Sequence, residues 1–204
     1  GSIFPVSSIE VAEASKLVEN AQRDIDIAFS NELSILMPKM GLDVEEVLAA
    51  ASTKWNFHRH TPGMGVGGHC IPIDPHYYIE IARKYGVNSS LSPAARELNY
   101  SMPLYNANEV FRLFGGVPEK VLVMGYAYKP NVSDTRETPL EPFISCLAEA
   151  GVNQIIVWDP MVGESQLPET VSKINSLAEV SSVDCIVIGT AHDDIVNLDW
   201  KWLC

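Results

Sequence analysis

Three groups of residues stand out by type and spacing. The densest lies at 62–75, where Gly63, Gly65, Gly67 and Gly68 are followed by His69, Cys70, Pro72, Asp74 and Pro75. Closely spaced glycines let backbone approach a ligand, and successive N–H groups can cradle an anion or a pyranose ring. A cysteine at the end of such a loop is placed to attack what the loop holds. Thiolate is the reactive form, so it needs electropositive surroundings or a nearby helix N-terminus, and Asp74-Pro75 predicts a helix starting just beyond it. The plain alternative is a tight irregular turn with Cys70 buried and inert.

The second group is Lys16 and Asn20, four residues apart and therefore on one face of a helix, an ammonium beside a carboxamide. Such a pair can position a substrate or stabilise an oxyanion; the alternative is a solvated helix face. The third runs over 125–139 and holds Tyr128, Lys129, Asp134 and Arg136. It sits at the C-terminal end of a predicted strand, where open α/β sheets bind their ligands, and Lys129 and Arg136 would face anionic groups there. An exposed loop with two ordinary charges is the competing reading. Cys146 in a predicted helix and Cys185 in a predicted strand read as core fillers. His58, His60, His69 and His76 surround Cys70 in sequence, but their spacings match no compact zinc-ligand pattern, so no metal is expected.

These groups need elements to hold them. Ser7 with Glu10 offers a capping box, and the stretch that follows, to about Met37, is nearly free of breakers with apolar residues at helical spacing. One long helix is expected there. Asp43 with Glu46 opens a second, ending near Ala51; a third is expected from Pro75 to Tyr85, and Ser92-Pro93 caps a fourth that extends toward Phe114. Beyond Gly115-Gly116 the character changes. The runs at 120–125, 155–159 and 184–189 read as buried strands, with a helix from Pro139 to Ala150 closed by Gly151. Short apolar strands separated by helices imply a parallel sheet covered on both faces. The expected fold class is therefore α/β: an all-helical region over 1–115, then a Rossmann-like α/β domain over 116–204.

Composition sets outer bounds. The 204 residues suffice for one large domain or two small ones, and 47% hydrophobic with 20% charged residues is a globular balance. The net charge of −12 would repel a phosphate backbone, so no nucleic-acid partner is expected, while a few clustered cations could still hold an anionic small molecule. No apolar run reaches the ~18 to 20 residues of a membrane span. With no basic-then-apolar leader the chain reads as cytoplasmic, with Cys70, Cys146, Cys185 and Cys204 as free thiols and truncation suspected at both ends.

Taken in order, the three groups carry a resemblance. Gly67-Gly68-His69-Cys70-Ile71-Pro72-Ile73-Asp74, preceded by Glu13-Ala14-Ser15-Lys16-Leu17-Val18-Glu19-Asn20 and followed by Gly125-Tyr126-Ala127-Tyr128-Lys129-Pro130 and Asp134-Thr135-Arg136-Glu137, resemble the UDP-glucose/GDP-mannose dehydrogenase family. Glu19-Asn20-Ala21-Gln22-Arg23-Asp24-Ile25 and Thr53-Lys54-Trp55-Asn56-Phe57 are similar to the branch that oxidises UDP-N-acetylhexosamines; UDP-glucose or GDP-mannose is the alternative substrate. The resemblance covers the helical dimerisation domain and the UDP-binding domain. No Gly-x-Gly-x-x-Gly follows a strand near the start, so the NAD-binding Rossmann domain is not matched, nor the carboxylate it supplies, and the chain alone is not expected to turn over.

The resemblance implies oxidation of a sugar C6 alcohol to an acid with NAD, through a Cys70 thiohemiacetal and thioester. It implies that Lys16 and Asn20 stabilise the oxyanion and that Asp74 orients water or Lys16. A loop containing Thr61, Gly63, Gly65, Val66 and Gly67 would wrap the sugar and diphosphate. Tyr128 and Lys129 would contact the nucleotide, Gly68 and Arg136 the cofactor, and Arg59 the substrate of a partner subunit in a homodimer. His69 stands where some members carry a small residue. Two readings outside this class are a metal-dependent hydrolase using Cys70 with its histidines, and a non-catalytic nucleotide-binding or assembly module.

Overall fold

The computed structural model describes residues 3–202. Contacts divide the chain into two compact units, the first running to Gly65 and resuming over His69–Tyr100, the second made of Val66–Gly68 and everything from Ser101 onward. Helical character persists to Phe114, and one continuous helix, over 91–114, runs from the first unit into the second.

The first unit is built on α1 (Ile9–Lys39), a 31-residue helix about 46 Å long at the usual rise. Its cap is Ser8 rather than the expected Ser7: Ser8 is extended at φ −157° and its hydroxyl accepts from the Val11 N–H. The Ser8 side chain also bonds Glu10, holding that carboxyl below its ordinary range. The buried face of α1 is not an apolar stripe. Asn20, Asp24 and Asn31 alternate with Ala21 and Ala28 along it, so the helix is seated largely by polar contacts. Helix α2 (Val44–Ala51) starts at Asp43, whose carboxylate accepts from the Glu45 N–H, and α3 spans Asp74–Lys84 with Pro75 in its first turn. Both pack on α1. Between α2 and α3 the chain is irregular throughout, as its glycines predict. Helix α4 (Leu91–Phe114) begins one residue before Ser92, so Ser92 is buried inside its first turn instead of capping it.

The second unit is a four-stranded parallel sheet of β1 (Lys120–Met124), β2 (Gln154–Trp158), β3 (Ser172–Lys173) and β4 (Cys185–Ile188), in the order β3-β2-β1-β4. Val121 and Val123 of β1 align with Ile155 and Val157 of β2, and Leu122 and Met124 with Ile156 and Trp158. Side chains alternate across a strand, so two faces emerge. Leu122, Met124 and Ile156 join Ile174, Leu177 and Ile195 in one core cluster, while Val121, Val123, Ile155 and Val157 are buried on the opposite face. The β1–β2 crossover is α5 (Leu140–Glu149), with Leu140, Phe143, Ile144 and Leu147 buried at helical spacing. A four-residue helix, α6 (Asp193–Val196), follows β4. The short edge strand β3 has no apolar run to announce it. Among the described residues no helix is long and apolar enough to cross a membrane.

Candidate active site

In the first unit, α1 presents Lys16 and Asn20 one turn apart, and the fold gives them different partners. Asn20 is buried and its Nδ2 donates to Asp74 Oδ2 at 2.5 Å. Lys16 is exposed, its ammonium 2.7 Å from Glu19 Oε2, and this contact holds the Glu19 carboxyl below its ordinary range. Asp74, expected to orient water or Lys16, has this bond to Asn20 as its side-chain contact. Lys16 and Asp74 nevertheless line the same open cleft of about 500 Å³, with Glu10, Glu13 and Tyr77.

The turn before α3 fixes Cys70. Its carbonyl accepts from the N–H groups of Ile73 at 3.0 Å and Asp74 at 2.8 Å, leaving the residue exposed. Cys70 is therefore not buried, as the plain alternative would have it. Cys146 and Cys185 differ: each is half-buried, and burial pushes both thiols up. Cys204 lies outside the described residues.

Ahead of Cys70, Thr61 is exposed and the Gly63 N–H donates to Asn31 Oδ1 at 2.9 Å. Gly65 ends this part of the loop with φ +126°. Arg59 pairs with Glu45 of α2. His60 Nε2 lies 3.9 Å from Asp26 and His76 Nε2 lies 3.3 Å from the Tyr100 hydroxyl, so these two histidines have separate neighbours. Among the described residues no group of three or more His, Cys, Asp or Glu could hold a metal ion.

In the second unit, Val66–Gly68 packs on the loop after β1. The Gly68 N–H donates to the Arg136 carbonyl at 3.0 Å. A Cβ on Gly67 would lie 2.8 Å from Tyr128 Cβ, and one on Gly68 2.7 Å from the Tyr128 ring, where φ of +91° already favours glycine. Tyr128 is thus stacked on side-chain-free backbone. Lys129 is exposed with Nζ 5.3 Å from the Tyr128 ring centre, and Arg136 pairs with Asp134 at 2.6 Å.

This loop is organised by residues the sequence reading passed over. Asp159, just past β2, is buried; its Oδ2 accepts from the N–H of Tyr126 and Ala127, its Oδ1 from Met161 and Val162. Burial alone would raise its carboxyl, but those backbone N–H groups and the nearby His192 hold it below the ordinary range. His192, fully buried, lies with Nε2 3.0 Å from Asp159 Oδ2 while Nδ1 accepts from the Asn131 N–H, which assigns the proton to Nε2. Thr138 and Thr190 hydroxyls bond the carbonyls of Tyr126 and Ala127. An acidic residue directly after an apolar strand was the available signal. The carboxylate, His192 and the loop after β1 meet where β2 and β4 diverge from β1, the switch point at which such sheets bind ligands.

A dinucleotide is held at such a point by a glycine turn leading straight into a helix N-terminus. Here residues 125–139 intervene before α5 begins at Leu140, so the described residues form no such cradle for NAD.

Two family models match the chain: the UDP-glucose/GDP-mannose dehydrogenase family central domain over residues 10–101 and its UDP binding domain over 122–204. The chain belongs to this family of nucleotide-sugar dehydrogenases. It is 38% identical over 198 residues to a UDP-N-acetyl-D-glucosamine 6-dehydrogenase of Pseudomonas aeruginosa, covering 94% of this chain and 46% of that protein. Among solved structures, a UDP-D-ManNAc dehydrogenase of Pyrococcus horikoshii superposes with TM-score 0.82 at 33% identity, covering 95% of this chain and 45% of the other. A UDP-glucose dehydrogenase of Pyrobaculum islandicum gives TM-score 0.84 at 30% identity, covering 93% and 45%. The chain spans about half the length of the relatives it matches.

Proposed function

We propose that these residues are the central and UDP-binding portion of an NAD-dependent nucleotide-sugar 6-dehydrogenase that converts a UDP-N-acetylhexosamine to its uronic acid. The observation that carries this reading is an exposed thiol four residues before Asp74, whose carboxylate is bonded to Asn20 on the same helix as Lys16. NAD, for which the described residues form no cradle, would supply the hydride acceptor for both oxidations. The residues of this chain do the rest. Cys70 Sγ adds to the C6 aldehyde, forming a C–S bond while the carbonyl oxygen takes the negative charge beside Lys16. After the second oxidation the resulting thioester is cleaved by water, which adds oxygen to C6 and returns the thiolate. Tyr128 and Lys129 contact the nucleotide, and Thr61 and Gly63 the sugar.

The substrate choice is supported by the relatives named for N-acetylated UDP-sugars, with UDP-glucose as the second candidate. A homodimer is also proposed. Val11, Val18, Phe29 and Leu36 lie on one face of α1, each between 45% and 54% exposed, an apolar seam suited to a second copy of the same helix. Competitive alkylation tests the core of the reading. Cys70 should label faster than Cys146 and Cys185, and UDP-N-acetylglucosamine should slow only Cys70. Equal labelling without protection would favour a non-catalytic module instead.

A further inference from the structure

The first unit contains a buried polar chain whose side chains have no part in the proposed chemistry. Asp24, Asn31, Arg96 and Asn99 are all at most 3% exposed. Arg96 Nη1 donates to Asp24 Oδ1 at 2.8 Å, and Asn99 Nδ2 donates to the same oxygen at 2.8 Å and to the Asp24 carbonyl at 3.1 Å. Asn31 Nδ2 then donates to Asn99 Oδ1 at 2.9 Å, and Asn31 Oδ1 accepts from the Gly63 N–H at 2.9 Å. Residues from α1, α4 and the glycine loop, 32 to 75 positions apart in sequence, share one line of hydrogen bonds.

The direction of the line is dictated by charge. A carboxylate only accepts, so Asn99 must turn its NH₂ toward Asp24 and its oxygen outward. That oxygen takes the NH₂ of Asn31, leaving the Asn31 oxygen as an acceptor with one place to go, the amide of Gly63. Asp24 Oδ1, accepting from both Arg96 and Asn99, therefore fixes both carboxamide orientations and, through them, the position of a backbone atom in the loop. The same pair reaches a second target: the Arg96 guanidinium stacks 4.3 Å over Tyr100, whose hydroxyl meets His76 on α3, the helix that Asp74 opens.

Stability does not account for this arrangement. Asp24 Oδ2 and Arg96 Nε and Nη2 find no hydrogen-bond partner among the described residues. A buried ion pair left partly unsatisfied is a weak stabiliser, and apolar residues of similar volume often replace one at no cost. What the pair supplies is orientation.

We infer that Asn31, held by Asn99 and the Asp24–Arg96 pair, is a positioning residue that pre-sets the Gly63 turn for the sugar of a nucleotide-sugar ligand. The ligand half of this rests on the function proposed above; the loop-setting half does not.

Two variants of the chain test it, Asn31→Ala and the apolar replacement Asp24→Leu/Arg96→Met, each followed by hydrogen exchange and by titration with UDP and with UDP-N-acetylglucosamine. Exchange across 61–65 should rise about tenfold in both while the cores of α1 and α4 keep their protection. Affinity for UDP-N-acetylglucosamine should fall about tenfold, the effect of one lost buried hydrogen bond, with affinity for UDP unchanged. A general loss of protection, or equal weakening of both ligands, would mark a merely structural role and overturn the inference. Unchanged exchange at 61–65 overturns it irrespective of ligand. If the unmodified chain does not prefer the sugar nucleotide over UDP, the proposed function fails, and exchange alone decides whether Asn31 sets the loop.

Discussion

Replacing Asp159 by Asn changes one oxygen for an NH₂ and leaves volume untouched, so its effect isolates the carboxylate. Five N–H groups point at this side chain: Tyr126, Ala127 and His192 at Oδ2, Met161 and Val162 at Oδ1. Whichever way the amide turns, its NH₂ faces at least two backbone donors. The milder orientation puts it toward Met161 and Val162, since the other also confronts His192. Only Val162 of these two is a buried residue, Met161 being exposed enough for water to reach it, so one orphaned buried N–H predicts a loss of about 1 to 3 kcal/mol. Urea unfolding followed by fluorescence measures this, with the slope checked for two-state behaviour. The sign of the pH dependence follows from the depressed carboxyl. Its contribution is fully present above the unfolded value of about 3.9 and is lost as pH falls through the lower folded one, so the gap between variant and parent should close in acid. A loss under about 1 kcal/mol at neutral pH, or a gap that widens in acid, would refute the account of the loop after β1.

Gly68→Ala should destabilise the second unit by about 2 to 4 kcal/mol, from the Tyr128 clash plus an unfavourable positive φ, and lower affinity for UDP; a neutral melt would contradict the close approach. Val18→Glu with Phe29→Glu should convert the proposed dimer to a monomer in sedimentation without loss of helicity, and an unchanged mass would remove α1 as the seam. For the proposed reaction, Cys70→Ser in a chain joined to an NAD-binding domain should stop turnover after one hydride transfer, and normal acid formation would exclude the thiol from the reaction.

Elements with strong local signals were legible in the sequence. The apolar runs of β1 and β2 and the Asp43 cap place themselves, whereas Ser7 and Ser8 are adjacent residues of the same type, both exposed, and pattern could not separate them. Strand β3 is two polar-leaning residues whose pairing comes wholly from β2. For the candidate site, type and spacing single out Cys70, Asp74, Lys16 and Asn20, but it is the family resemblance that assigns them roles. Asp24, Asn31, Arg96 and Asn99 do not, because a polar residue within a long helix reads as solvated unless its distant partners are known. Asp159 sits between these cases: its position after a strand was visible, its five donors were not.

Val66–Gly68 belongs with the second unit while the residues on either side of it belong with the first. The α/β half is therefore not a separable cassette. Cut at residue 101, it would lose the two glycines that cover Tyr128, and the ring would stand open to water. During folding, too, the Gly68 amide must find a carbonyl 68 residues downstream, so this half finishes only after a long chain closure.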